Sequence, residues 1–341
     1  MLNYQATRLS RASLKIYADV TREGYMIDNI KIEMEKVLVG QNRLIERMLI
    51  ALLTDGHILL EGVPGLAKTT AVKTLAQALN APFQRIQFTP DLIPGDLTGT
   101  DIFIPKEGDF RFVEGPLFHE VVLADEINRA PPKVQSALLE AMEERQITVG
   151  GTTRQLPPLF IVIATQNPIE QEGTYPLPEA QLDRFLFKHQ LNYPSIEEEL
   201  EILERDQAQK HKPDSAKQIN TVATTEDILK AREAVNGIHI DDMLKRYLIT
   251  LIQASRQPQQ WNDELASWLQ HGASPRASLA LAHTAKARAL LKKRDYVEPG
   301  DISDLAYDVL NHRINLSFSA RAEGITARDV VSKLLELVPI P

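Results

Sequence analysis

The 341-residue sequence contains no cysteine, which excludes disulfides, thiolate catalysis and cysteine-ligated zinc and removes any support for a secreted disulfide scaffold. Nowhere do 18 apolar residues follow one another, so no segment is long enough for a membrane-spanning helix. The opening stretch MLNYQATRLSRASLKIY lacks the apolar run of a signal peptide, and a cytoplasmic location is expected by default. Basic charge is also short: 38 Lys and Arg against 46 Asp and Glu give a net charge of -8 and a pI near 5.6. That balance opposes the footprint of a general nucleic-acid binder. The eight histidines form no HExxH or other close ligand pair, so they carry no metal-centred chemistry.

What is present is the composition of a globular protein, 43% hydrophobic and 25% charged, and a length that suggests two domains at roughly one per 150 residues. Residues 1–27 show little periodicity and read as an N-terminal extension. Residues 27–39, apolar at 27, 30, 34, 37 and 38, fit an amphipathic helix stopped by Gly40. From 28 to 193 short apolar runs at 57–60, 83–88, 121–124, 160–165 and 185–191 alternate with helical patterns that include 67–79 and 133–144. Such alternation implies parallel strands joined by crossover helices in an α/β sandwich. Two stretches break the rhythm, at 89–118 and 146–157, and both read as inserted β-hairpins. From 194 to 341 helical patterns dominate, which predicts a helical second domain.

The run HILLEG leads straight into Gly62, Val63, Pro64, Gly65, Leu66, Ala67, Lys68, Thr69 and Thr70. A strand, a Gly-rich loop ending in Lys-Thr and a helix form the context of a phosphate-binding loop, in which backbone N–H groups and the helix N-terminus wrap an anion. Lys68 is expected to reach the β- and γ-phosphates and Thr69 to place its hydroxyl on Mg²⁺. Ala67 stands where the generic pattern has Gly, which is tolerable if its backbone is close to helical.

Downstream, VVLA ends in Asp125 and Glu126. At the carboxyl end of a parallel strand an acidic pair sits beside the phosphate loop, with Asp125 suited to the Mg²⁺ shell and Glu126 to general-base activation of water. The strand FIVI leads to Asn167, which either orients the same water or makes an ordinary Asn-Pro turn. Arg184 and Arg276 are each read either as a phosphate-directed arginine, supplied in trans, or as a surface ion pair.

Taken together, EGVPGLAKT at 61–69, GDLTGT at 95–100, EGPLF at 114–118, ADEINRAPPKVQSALLEAMEERQ at 124–146, ATQNP at 164–168, EGTYPLPEAQLDRF at 172–185 and SPRAS at 274–278 resemble the MoxR family of AAA+ ATPases. The resemblance covers roughly residues 28 to 338. It implies an AAA+ P-loop αβα core with inserted β-hairpins and a C-terminal all-α lid, and an ATP hydrolase that remodels a partner protein. Ala67 is usual in that family. The resemblance makes Lys68 and Thr69 the Walker A pair, Asp125 and Glu126 Walker B, Asn167 sensor 1, Arg276 sensor 2 and Arg184 the arginine finger, with Gly40 and Gln41 at the adenine base. It further implies ATP and Mg²⁺ as ligands, a homo-oligomer expected to be a hexameric ring, and protein partners bearing von Willebrand A domains. Arg129 is assigned either to a neighbouring subunit or to anchoring the following helix, and Gln87 to restraining Glu126. The rival readings are a ring-shaped nucleic-acid translocase, suggested by Lys286, Arg288, Lys292, Lys293 and Arg294, and a nucleotide-dependent scaffold without turnover.

Overall fold

The computed structural model describes residues 11–63, 65–168, 173–210 and 219–341. Its elements run α1 (Arg11–Glu35), α2 (Asn42–Leu53), β1 (Ile58–Glu61), α3 (Lys68–Ala78), β2 (Phe83–Gln87), α4 (Pro94–Thr98), β3 (Gly99–Ile104), β4 (Asp109–Glu114), β5 (Val121–Asp125), α5 (Pro132–Glu144), β6 (Gln146–Val149), β7 (Thr152–Gln155), β8 (Ile161–Gln166), α6 (Glu179–Leu182) and β9 (Phe187–Gln190). The helical part follows as α7 (Ile196–Lys210), α8 (Thr225–Gly237), α9 (Asp242–Arg256), α10 (Asp263–Trp268), β10 (Leu269–His271), α11 (Pro275–Leu291), α12 (Pro299–Leu310), β11 (Asn315–Leu316), α13 (Phe318–Ala322) and α14 (Ala327–Leu337).

Each of the five apolar runs becomes a strand, and all join one parallel sheet in the order β2-β5-β8-β1-β9. The inner strands β5, β8 and β1 are almost continuously apolar because both sheet faces are covered there, whereas the outer strands β2 (FQRIQ) and β9 (FKHQ) carry polar residues. Ile58, Leu60, Val121, Leu123, Ile161 and Ile163 pack with α2, α3 and the lid helices on one side. Leu59, Val122, Ala124, Val162 and Ala164 pack with α5 on the other. Fully burying a side chain of this size contributes about 1.5–3 kcal/mol. With the strands parallel, the carboxyl ends of β1, β5, β8 and β2 lie along one rim, and the loops that follow them meet there.

The N-terminal helix differs from the expectation of a helix over 27–39. It runs from Arg11 to Glu35, and Gly40, at φ 69°, turns the chain into α2. Val20, Ile27, Ile30 and Met34 are buried along α1, but Glu23, also buried, interrupts the apolar period and pairs with Arg22 at 2.7 Å. A buried carboxylate inside the stripe hides a helix from a periodicity reading.

The lid grips the sheet through its edge. Among the described residues no strand lies beyond β9, and an open edge leaves carbonyls without strand partners. Asn311 donates to Lys188 O at 2.8 Å, and Arg313 donates to Phe185 O at 2.7 Å and Leu186 O at 3.0 Å. Nearby, Asp308 accepts from Arg47 at 2.7 Å and contacts His189 at 3.0 Å. Burial raises the Asp308 pKa, but the His189 hydrogen bond and the Arg47 charge outweigh it and bring the group to about 2. A short antiparallel pair, β10 with β11, interrupts the otherwise helical lid.

Both hairpins form, β3 with β4 and β6 with β7. They touch one another: the Arg154 guanidinium stacks 3.7 Å from the Phe112 ring centroid and approaches Asp101 at 3.9 Å. No helix among the described residues is long and apolar enough to cross a membrane.

Candidate functional site

Between β1 and α3 the chain makes the expected loop. Gly62 donates to Gln166 O at 3.2 Å, and a Cβ at Gly62 would meet Leu191 Cβ at 3.0 Å. Gly65 has φ 88°, a left-handed value that favours glycine. Ala67, the cap of α3, has φ 54° and ψ 23°. The expectation of a near-helical backbone at Ala67 is therefore corrected: this residue carries its Cβ in the left-handed region, which costs about 1–2 kcal/mol. Pro64 lies outside the described residues.

A cavity of about 390 Å³ is lined by Gly65, Leu66, Ala67, Lys68, Thr69, Thr70, Arg85, Asp125, Glu126, Thr165 and Asn167. The structure thus gathers the loop, the acidic pair and the asparagine at one place. Lys68 donates its ammonium to Gly62 O. Burial lowers its pKa, opposed by Asp125, Glu126 and Glu61. The exposed N–H end of α3, a cation, a hydroxyl and a carboxylate form the donor set that an anionic phosphate with a hard cation requires.

The acidic side is held by a network only partly foreseen. Thr165, at the end of β8, donates to Asp125 Oδ1 at 2.6 Å and accepts the Glu126 N–H at 2.8 Å. Arg85 donates to Asp125 Oδ2 at 2.6 and 3.1 Å and to Gln87 Oε1 at 2.7 Å. Gln87 in turn donates to Glu126 Oε2 at 2.8 Å, the oxygen that Arg129 reaches at 3.1 Å. Glu126 itself sits at φ 59°, ψ 50°, a conformation that persists in a non-glycine residue only where its surroundings impose it. Thr165 and Arg85 were missed from the sequence. Arg85 and Gln87, two apart on one face of β2, were the available signal.

Gly40 and Gln41 line a different cavity of about 450 Å³ between core and lid, together with Glu61, Leu191, Tyr193, Glu198 and Arg328 among others. Gly40 has φ 69°, a left-handed value that favours glycine, and a Cβ there would also have to displace the Glu198 carboxylate.

Arg184 and Arg276 are not brought to the phosphate loop. They meet each other around Glu143, in a depression of about 230 Å³ that Met142 and Asp183 also line. Arg184 Nε lies 2.6 Å from Glu143 Oε2, though not aligned for a hydrogen bond, and Arg276 pairs with Glu143 Oε1. One carboxylate at the end of α5 holds both guanidinium groups.

The basic residues of α11 and the turn after it are largely engaged within the chain. Arg288 pairs with Glu46 at 3.0 Å and with Asp304, Arg294 with Asp301 at 2.8 Å, and Lys293 with Asp28.

Residues 57–187 match the family described as "ATPase family associated with various cellular activities (AAA)", and residues 266–334 match the AAA lid domain. The chain is 47% identical over 320 residues to "Chaperone MoxR1" of Mycobacterium tuberculosis, covering 94% of this chain and 83% of the relative. It is 46% identical to "Uncharacterized protein YeaC" of Bacillus subtilis, covering 90% and 92%, and 32% identical to "Protein MoxR" of Paracoccus denitrificans, covering 89% and 93%. A crystal structure of a proposed ATPase from Cytophaga hutchinsonii superposes with a TM-score of 0.88 at 47% identity, covering 95% of this chain and 97% of that one. Loop, acidic strand end, inserted hairpins, lid and these relatives agree, and the chain belongs to the MoxR family of AAA+ ATPases.

Proposed function

We propose that the protein hydrolyses ATP at a site shared between two copies of the chain in a hexameric ring, and that the resulting motion remodels a partner protein in the cytoplasm. The observation that carries this reading is a separation: Lys68, Thr69, Asp125, Glu126 and Asn167 surround one cavity, while Arg184 and Arg276 gather at another. A single copy holds half of a phosphoryl-transfer site, and an arginine delivered in trans raises turnover by ~10³–10⁵. The name of the Mycobacterium tuberculosis relative, a chaperone, supports the remodelling role, and partners with von Willebrand A domains remain the family expectation.

In this reading the amides of residues 65–68 and the Lys68 ammonium bind the phosphates, and Gly40 and Gln41 border the base. Thr69 and Asp125 would hold Mg²⁺, which would neutralise charge on the phosphate oxygens. Asn167 orients the attacking water. Glu126 takes its proton once Gln87 and Arg129 release the carboxylate. Arg276 joins Arg184 in facing the neighbouring copy, instead of closing the lid over its own nucleotide. The β3–β4 hairpin, with Ile102, Phe103 and Phe110 exposed, offers an apolar edge to a partner segment, and Arg154 makes the two hairpins move together.

Turnover per copy is measured against protein concentration while light scattering follows assembly. Activity rises with ring formation. Full-rate hydrolysis by a solitary copy overturns the shared site. A pull-down with Glu126→Gln, loaded with ATP, is expected to retain protein; retention of nucleic acid alone favours the translocase, which the internal pairing of Arg288, Lys293 and Arg294 opposes. Unchanged ATPase activity in Glu126→Gln removes the base assignment and favours a scaffold.

A further inference from the structure

We infer that Glu143 is a positioning residue for hydrolysis: it holds Arg184 and Arg276 side by side and presents them as one unit to the nucleotide of a second copy. This rests on the shared site proposed above and assigns it a further component.

Glu143 lies in the last turn of α5, where α5 carries no basic residue and where the helix dipole disfavours a carboxylate. The two arginines offset that cost at Glu143. A carboxylate has two oxygens, and here each takes one guanidinium, Oε2 toward Arg184 and Oε1 toward Arg276. Two cations brought to one triphosphate repel each other, and a carboxylate between them offsets that repulsion and fixes their spacing.

The contact to Arg184 uses Nε. Its terminal nitrogens have no hydrogen bond to any described residue, and the Arg276 side chain is 48% exposed. Both retain the donors that a phosphate takes in fork geometry. The backbones are tied as well. Asp183 accepts from Ser274 Oγ at 2.8 Å and from Arg313 Nε at 2.7 Å. The residue before Arg184 is therefore joined to the cap of the helix that carries Arg276. Backbone ties place the two chains, and Glu143 places the two charged ends.

The test uses the full chain. Glu143→Ala is expected to lower kcat roughly tenfold to a hundredfold, the scale of a misplaced catalytic group, and to raise KM for ATP about tenfold in assembled rings, because KM approaches the dissociation constant once chemistry is slow. Glu143→Gln, which keeps an acceptor oxygen, is expected to fall between the two. Mixing Glu143→Ala with Glu126→Gln restores activity above the sum of the separate variants, because one supplies the intact cleft and the other the intact arginine pair.

A parallel mixture of Arg184→Ala with Glu126→Gln separates the two levels of the claim. Recovery there, without recovery for Glu143→Ala, rejects the positioning role and leaves the shared site standing. Recovery in neither rejects the shared site and the inference with it. Wild-type or faster turnover by Glu143→Ala also overturns the inference, because Glu143 would then be neutral or a restraint. A readout without turnover completes the test. In a Glu126→Gln background, fluorescent ATP binds dilute single copies equally with or without Glu143→Ala, and binds assembled rings about tenfold more weakly with it, on the same misplacement argument. Equal binding by both rings counts against the proposal.

Discussion

Gln87 and Glu126 are joined by a 2.8 Å hydrogen bond between Nε2 and Oε2, so the carboxylate proposed as the general base is held from the end of the neighbouring strand. Arg85 holds the other end of the Gln87 amide at 2.7 Å, which fixes its orientation. Replacing Gln87 with Leu removes the donor and leaves the strand intact. A partly exposed hydrogen bond to a charged group contributes about 1 kcal/mol, so turnover without a partner protein is expected to rise roughly fivefold. Steady-state hydrolysis by Gln87→Leu at or below the wild-type rate rejects the restraint.

His57 is neutral in the fold because its surroundings define its tautomer. Nδ1 accepts the Val162 N–H at 3.0 Å, and Nε2 lies 3.2 Å from Met142 O. A second ring proton would face an N–H. Burial first, and Arg145 second, push its pKa well below 6.5; burial does the same for His312. Because the unfolded chain binds protons that the fold refuses, stability is complete above about pH 6.5 and falls as pH drops, by about 1.4 kcal/mol per unit for each histidine. Urea unfolding at several pH values between 7.5 and 5.5 measures the slope. Glutamine keeps a donor and an acceptor without titrating, so His57→Gln is expected to flatten the slope by roughly a third to a half, with His312 and His283, also lowered by burial, carrying the rest. An unchanged slope places the proton uptake elsewhere.

The inner strands were legible because burial on both faces leaves an apolar run with few alternatives, the outer β2 and β9 were marked by their flanking Phe and Leu residues, and each strand appeared within two residues of its expected bounds. The phosphate loop and acidic pair were legible because their chemistry needs contiguous residues. Thr165, Arg85 and Glu143 were not, since each acts only through residues distant in sequence: Glu143 and Arg276 are 133 positions apart. The side to which Arg276 belongs was equally hidden, because a helix start specifies a backbone position and not the cleft it faces. The first half of α1 was hidden by the buried Glu23.

Ala67 offers a test of strain. At φ 54° it costs about 1–2 kcal/mol, while glycine at the same place loses about 0.4–1 kcal/mol to unfolded-chain entropy. The balance favours Ala67→Gly by a few tenths to about 1 kcal/mol. Chemical denaturation should show a midpoint at slightly higher denaturant with unchanged slope. A lower midpoint implies that the Ala67 methyl makes contacts that outweigh the backbone cost.

Arg313 joins lid to core at the segment that carries Arg184. It donates to Asp183 Oδ1, to the carbonyls of Asp183, Phe185 and Leu186 across the junction, and to Val309 within α12. Burial lowers its pKa, and Asp183 opposes that shift. Removing one partner of such a pair leaves a carboxylate and several carbonyls unsatisfied, at a cost of about 3–5 kcal/mol. For Arg313→Leu the melting temperature is expected to fall by roughly 5 °C. Hydrolysis below that melt should also drop, because the backbone under Arg184 loses its anchor. Nucleotide binding by dilute single copies should persist, since no Arg313 contact reaches the phosphate loop. A variant that melts early but hydrolyses ATP at the wild-type rate shows that Arg184 keeps its place without the lid, and that Arg313 serves stability alone.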